Sequence, residues 1–391
     1  MANIDNIQDF VNSVTSQAYG ETAVKATDLT GLISLGNTVL SSTENVDKYT
    51  GALVDRIGKT IISNRKYNSP ENGILIVTFS FGAIMQKIYV APLKAVKNPK
   101  YDLTDGTAVD QYVIAKPSVK QKLFDGRDLW EIDVTIPDDQ LATAFTSWEQ
   151  MAAFIDAIYM AVDNSLEMQL ESTANMAYAN FIGEKLIAQA QPSAKGVHCV
   201  HLLQAYNTAA GKTITAAEAL RDTEFLKFAS KTIRLYIKRM SKPSVLFNDE
   251  SYVRHTPADL LRVTMLSDFV ECFDTYLQSD TFHNDFVALP NHREIPYWQG
   301  TGDGYGFNEI STIDITTASG TAVKQDGVVC LLNDVEAIGM MINNPRVTSS
   351  PHNAKGEYTN YFYKSEIRYF NDLSEQGIVF TVTDTPYTAG A

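Results

Sequence analysis

A chain of 391 residues with 45% hydrophobic and 10% aromatic content is large enough for two or three lobes around a sizeable core, which excludes an intrinsically disordered protein. Lys+Arg 32 against Asp+Glu 46 gives a net charge of -14, which argues against a reader of nucleic acid, because phosphate binding needs a net basic face. A wall of that sign still suits a container, since a polyanion slides along it rather than sticking.

The opening MANIDNIQDF lacks the basic and apolar regions of a secretory leader, and runs such as GILIVTF fall well short of the roughly 20 residues of a membrane helix. Cys199, Cys272 and Cys330 are odd in number and share no C-x-x-C spacing, so a disulfide framework is not expected. Together these features imply synthesis in a cytosol and no membrane partner.

In chain order, residues 1–45 read as an arm rich in Ser, Thr, Asn and Gly, with no apolar stripe long enough to bury a face. TGALVDRIGKTIIS follows, where Leu53, Ile57 and Ile61 at i, i+4 and i+8 predict an amphipathic helix. Residues 73–136 read as a long β-hairpin. Its outgoing limb places Leu75, Val77, Phe79 and Phe81 on one face, and its return limb alternates Trp130, Ile132, Val134 and Ile136 with Glu131, Asp133 and Thr135. The limbs are expected to pair as a ribbon whose apolar side needs another surface, because an isolated two-stranded ribbon is marginal in water.

The next segment, from Asp138 to Ile182, contains no glycine, proline or basic residue. Phe145, Trp148, Ala152, Ile155, Tyr159, Val162 and Leu166 form a helical stripe, with cap chemistry at Asp138 and Asp139 and a second start at Thr146-x-x-Glu149. A helix over the whole segment would span about 65–70 Å at ~1.5 Å per residue, longer than a compact enzyme of this size needs. From 196 to 340 the pattern is mixed. TEFLKFASKTIRLYIKRM reads as a helix, KPSVLFND as the end of a strand, HTPADLLRVTML as a helix capped by Thr256, and VVCLLNDVEAIGMMI as strand, Asn-Asp turn, strand. YTNYFYKSEIRYF and GIVFTVTD read as strands that pair and return to the base of the hairpin.

No constellation carries catalysis. His198 and His201 lack the further N or S ligands of a zinc site, and GTGDGYG at 300–306 lacks the lysine of a phosphate loop. His255, His283 and His292 have no nucleophile to serve, so no enzyme, cofactor or metal is expected. Charge is more informative. Lys59, Arg65, Lys66, Lys87, Lys94, Lys97 and Lys100 face the single acid Glu71, whereas 128–184 carries eleven acids and no Lys or Arg. One reading is an unrelated acidic face and basic loop. The other is complementarity between copies, which supplies register more than affinity and weakens with salt.

The order of parts, together with LVDRIG (53–58), GAIMQKIYV (82–90), KNPKYD (97–102), IPDDQLATAFTSW (136–148), NPR (344–346) and YTNYFY (358–363), resembles the major capsid proteins of tailed bacteriophages, and among them the small phi-twenty-nine-like podovirus group. The resemblance implies an α+β Hong Kong-type fold. Residues 1–49 would be an N-terminal arm, 50–72 a helix and lead-in, 73–136 an extended E-loop hairpin, 137–195 the spine helix, 196–343 a mixed α/β axial domain, and 344–391 peripheral strands. It implies a structural protein forming pentamers and hexamers of an icosahedral head around double-stranded DNA in the host cytoplasm, with scaffolding and portal proteins as further partners. An encapsulin-like compartment and a cytosolic enzyme are the alternatives. Expected contacts between copies are Lys87, Lys94, Lys97, Lys100 and Arg127 on the hairpin, Trp130 on its return limb, Asp156, Asp163 and Glu167 on the spine, and Arg346. No cross-linking Lys–Asn pair is marked.

Overall fold

The computed structural model describes residues 7–20, 23, 25–64, 74–79, 85–93, 95–124, 129–192, 195–278, 289–298, 300–301, 304–307 and 312–388. One helix, Trp148–Ala190, joins two hydrophobic cores. Ser147 caps it by accepting from the Gln150 N–H, and its 43 residues extend about 64 Å at ~1.5 Å each. Its first half buries only the face carrying Met151, Ile155, Ile158 and Val162. Between Leu170 and Leu186 it is buried on most sides. The restart expected near Thr146 is present, but Ser147 supplies the cap. Asp138 and Asp139 lie in the first turn of a separate helix, Asp138–Ala144, without a side-chain cap bond.

The amino-terminal segment is not a bare arm. Helices Ile7–Tyr19, Leu29–Val39 and Thr43–Asn64 close a core against the first half of the long helix, with Val11, Val14, Leu32, Val39, Tyr49 and Leu53 fully buried. Each helix carries only a short stripe, too brief to read alone, and the three bury it jointly. The side chains of Ile57 and Ile61 lie outside the described residues. Gly36 allows a close approach in this core: a Cβ there would stand 2.6 Å from Phe145 Cβ.

Two sheets flank the long helix. In the first, Leu75–Phe79 pairs in parallel with Ile338–Ser349, which pairs antiparallel with Tyr358–Asn371, which pairs antiparallel with Leu129–Pro137. The limbs expected to pair with each other therefore occupy opposite edges of one sheet, two strands apart. Alternation identifies a half-buried strand but not its neighbour. Val77 lies in the outgoing strand, whereas Phe81 lies outside the described residues.

The second sheet runs in the order Cys199–His201, Gly377–Thr381, Val328–Asp334, Leu261–Leu266, Arg293–Ile295. Helix Thr223–Met240, capped by Asp222, packs into its core as expected. Three readings are corrected here. LRVTML is a strand, because its Thr264 and Met265 sit mid-sheet with partners on both sides. KPSVLFND contributes only an isolated bridge at Ser244. Tyr358–Asn371 and Gly377–Thr381 do not pair with each other, because they belong to different sheets; VVCLLNDVEAIGMMI is strand, turn and strand as expected, and its turn after Asp334 joins the two sheets.

Candidate assembly surface

A ribbon does leave the body, nested inside the expected hairpin and nearer its tip than the alternating limbs suggested. Met85–Val90 and Val119–Phe124 pair antiparallel over six residues each. Every described residue from 92 to 121 is exposed, so the tip stands clear of its own chain. Asn98 caps a single turn, Pro99–Tyr101, by accepting from the Lys100 N–H, and Asp110 accepts from the Tyr112 N–H. Such local side-chain bonds shape the tip where no core supports it.

The register divides the ribbon into two unlike faces. Met85/Phe124, Lys87/Lys122 and Tyr89/Lys120 are partners on the inner face. The outer face carries Gln86/Leu123, Ile88/Gln121 and Val90/Val119, and Ile88, Val90, Val119 and Leu123 are each more than half exposed. Leu93, Val96, Tyr101, Leu103, Val109, Tyr112, Val113 and Ile114 continue this apolar surface over the tip, with Val96 88% and Tyr101 90% exposed. A soluble chain rarely shows so many adjoining large apolar groups unless another surface covers them.

The inner face is bound to the body by charge and stacked rings. Lys87 Nζ lies 2.6 Å from Glu375, 3.0 Å from Asp372 and 3.0 Å from Glu336. Lys122 Nζ lies 3.0 Å from Glu250 and 3.1 Å from Asp372. Arg254 approaches the same Glu375 at 3.0 Å. The Tyr89 and Tyr252 rings stack at 4.2 Å, with Arg254 over the first and Lys120 over the second. Burial acts to raise the Asp372 carboxyl, but Lys87, Ser374 and Lys122 outweigh it and bring it to about 2. At Glu375 burial prevails, and its carboxyl is raised despite Lys87 and Arg254.

A second ion cluster lies behind the first. Lys185 of the long helix is fully buried with its Nζ 2.5 Å from Asp249, which also lies 3.0 Å from His198 Nδ1. Burial lowers the Lys185 ammonium, while burial at Asp249 is overcome by His198 and Lys185, leaving that carboxyl below its usual range. Asp249 and Glu250 are consecutive, so one turn ties the long helix to the ribbon.

The expected contact residues divide accordingly. Lys87 is paired with acids of its own chain. Lys97 pairs with Asp102 at the exposed tip, and Lys100 lies 5.5 Å from the Tyr101 ring centroid. Lys94 and Arg127 lie outside the described residues. Trp130 Nε1 donates to the Ile367 carbonyl at 3.1 Å within the first sheet. Asp156 and Glu167 are exposed on the long helix and Asp163 is half-buried there. Arg346 is half exposed, 3.6 Å from Glu366. Several acids of 128–184 are met within the chain: Glu131 by Lys364 at 2.8 Å and Asp138 by His352 at 3.5 Å. The residues that sequence reading missed are Lys122, Asp372 and the apolar side chains of the tip. The hydrophobic letters between Leu93 and Ile114, amid the Asn-Pro and Asp-Gly breakers, were the available signal.

Comparison with known proteins agrees with the collinear motifs. The family model described as Phi29-like phage major capsid protein matches residues 9–381. The chain is similar to the major capsid protein of Bacillus phage PZA, 20% identical over 328 residues covering 79% of this chain and 69% of that protein. It is also similar to that of Bacillus phage B103, 24% identical over 182 residues covering 46% of this chain and 39% of the other. A solved chain from the capsid of Staphylococcus phage Andhra aligns with a TM-score of 0.46 at 9% identity, covering 81% of this chain and 84% of that one.

Proposed function

Because the chain belongs to the Phi29-like phage major capsid protein family, a structural role in the virion capsid is its function, and we propose that copies assemble by covering one another's ribbons. The observation that carries this is the apolar surface running from Ile88 and Leu123 over the tip to Ile114, which the chain itself leaves bare. Pentamers and hexamers then close by heterologous contacts that complete rings. Scaffolding and portal proteins are the further partners on this reading, and assembly takes place in the host cytoplasm.

Lys97 and Lys100 on the tip, with Lys94, would supply register against the exposed acids of a neighbour's long helix. Changing Lys94, Lys97 and Lys100 together to Glu is expected to stop particle formation while subunits sediment as folded monomers. Particles formed at wild-type yield would remove the register role and leave the apolar one.

Packaged double-stranded DNA is the enclosed partner, without sequence-specific contacts. The net charge of -14 and the exposed Asp156 and Glu167 support a wall that repels it. Substituting Lys at Asp156, Asp163 and Glu167 is expected to increase DNA retained by opened shells at low salt. Unchanged or reduced retention would mean that this face does not line the interior.

A further inference from the structure

Resting on that reading of the ribbon's outer face, we infer that Asp372 is an electrostatic latch that fixes the ribbon with its apolar side outward before any partner arrives. Lys87 and Lys122 are direct partners across the ribbon, and like charges placed so repel. One carboxylate is shared between them: Asp372 Oδ2 stands 3.0 Å from Lys87 Nζ and Oδ1 stands 3.1 Å from Lys122 Nζ. Glu375, Glu336, Glu250 and Arg254 complete the surroundings, giving three cations and four carboxylates.

Asp372 is itself held rigidly. Its N–H donates to the Ala337 carbonyl at 2.8 Å, and its carboxylate accepts from the Ser374 N–H at 3.0 Å and hydroxyl at 2.6 Å. It follows directly on Tyr358–Asn371 of the first sheet and precedes Gly377–Thr381 of the second, so the latch is anchored where the two sheets meet.

The contact is also selective about orientation. Turned over, the ribbon would present Ile88 and Leu123 to Asp372 and Glu375, burying carboxylates against hydrocarbon with no cation to meet them. A cleft of about 340 Å³, lined by Lys87, Tyr89, Lys120, Lys122, Tyr252 and Arg254 among others, remains between ribbon and body. The ribbon is thus held by discrete ion pairs, stacked rings and a tilted contact of Phe124 with Phe370 at 5.2 Å, rather than by a continuous sealed seam. Since two strands alone are marginal, loss of the latch releases the ribbon's own hydrogen bonds as well.

Amide hydrogen exchange on unassembled subunits tests this. In Asp372→Asn, exchange within 85–90 and 119–124 is expected to accelerate on the order of a hundredfold, while 328–334 and 377–381 keep their protection. Adding Lys87→Met, Lys122→Met and Glu375→Gln to Asp372→Asn is expected to restore protection, since the methionines then meet neutral amides rather than buried carboxylates left without a cation. Unchanged ribbon exchange in Asp372→Asn overturns the latch. So does a failure of the lysine replacements to restore it, which would make Asp372 a turn residue only. Lys87→Met alone leaves the Asp372 turn intact and covers the case in which Asp372→Asn does not fold: faster ribbon exchange supports the latch, and wild-type exchange overturns it. Particle formation by wild-type protein is read separately, so the latch and the contact surface fail independently.

Discussion

Replacing Tyr112, Val113 and Ile114 together with serine is expected to abolish particle formation and leave the subunit as stable as before. The three side chains are 81%, 74% and 77% exposed and touch no core, so folding loses little, within about 0.5 kcal/mol for each surface change. Covered by a neighbour, each would contribute about 1.5–3 kcal/mol of apolar burial. Losing on the order of 5 kcal/mol at every subunit contact weakens each association by more than about a thousandfold. Heterologous contacts that must all form to close a ring compound that loss. Chemical denaturation of the subunit and sedimentation of the assembly mixture separate the two effects. Normal particles from the triple variant would mean that the tip is not a contact.

The second large effect concerns the fold. Lys185→Ala is expected to destabilise the subunit by about 3–5 kcal/mol, because it leaves Asp249 buried against His198 without its ammonium partner. Lys185→Met keeps the hydrocarbon stem beside Phe181 and is expected to cost nearly as much, which separates charge from packing. Lys185→Met combined with Asp249→Asn removes both charges and is expected to recover most of the loss, since a neutral pair needs no counter-ion. Denaturant titration with a shared m-value checks all three. A loss below about 1 kcal/mol in Lys185→Ala would show that the pair contributes little, as exposed pairs do.

These residues also mark what the sequence made legible. The helix beginning at Trp148 was readable because its stripe repeats over many turns, and Thr146 with Glu149 marked its start to within one residue of the Ser147 cap. The return limb was readable because Trp130, Ile132, Val134 and Ile136 alternate without interruption. Strand partners were not readable: Leu75–Phe79 finds Ile338–Ser349 more than 250 residues away, and nothing local encodes that choice. The amino-terminal helices were missed because Val11 with Val14, Leu32 with Leu35 and Val39, and Val46 with Tyr49 are each a turn or two long. Only their joint closure over Phe145 and Ile155 makes a core.

The ribbon was half legible, and its charge pattern did not show which way each lysine points. A cluster of lysines before residue 100 looked like a positive face offered outward. Lys87 instead turns inward to Asp372 and Glu375, nearly 290 residues on, because those carboxylates wait at the junction of two sheets. The polar-in, apolar-out ribbon inverts the usual order of a surface strand, and an inversion can be recognised only once the body beneath it is known. The collinear motifs nevertheless carried the family, since they depend on order along the chain and not on which face points where.

Imaging assembled particles at side-chain resolution tests the central claim most directly. The expected result is that Ile88, Val90, Val119 and Leu123, with Tyr112 and Ile114 at the tip, lie covered by another copy while Lys87 and Lys122 remain on Asp372 of their own chain. Particles in which that apolar face stays open to solvent would contradict it.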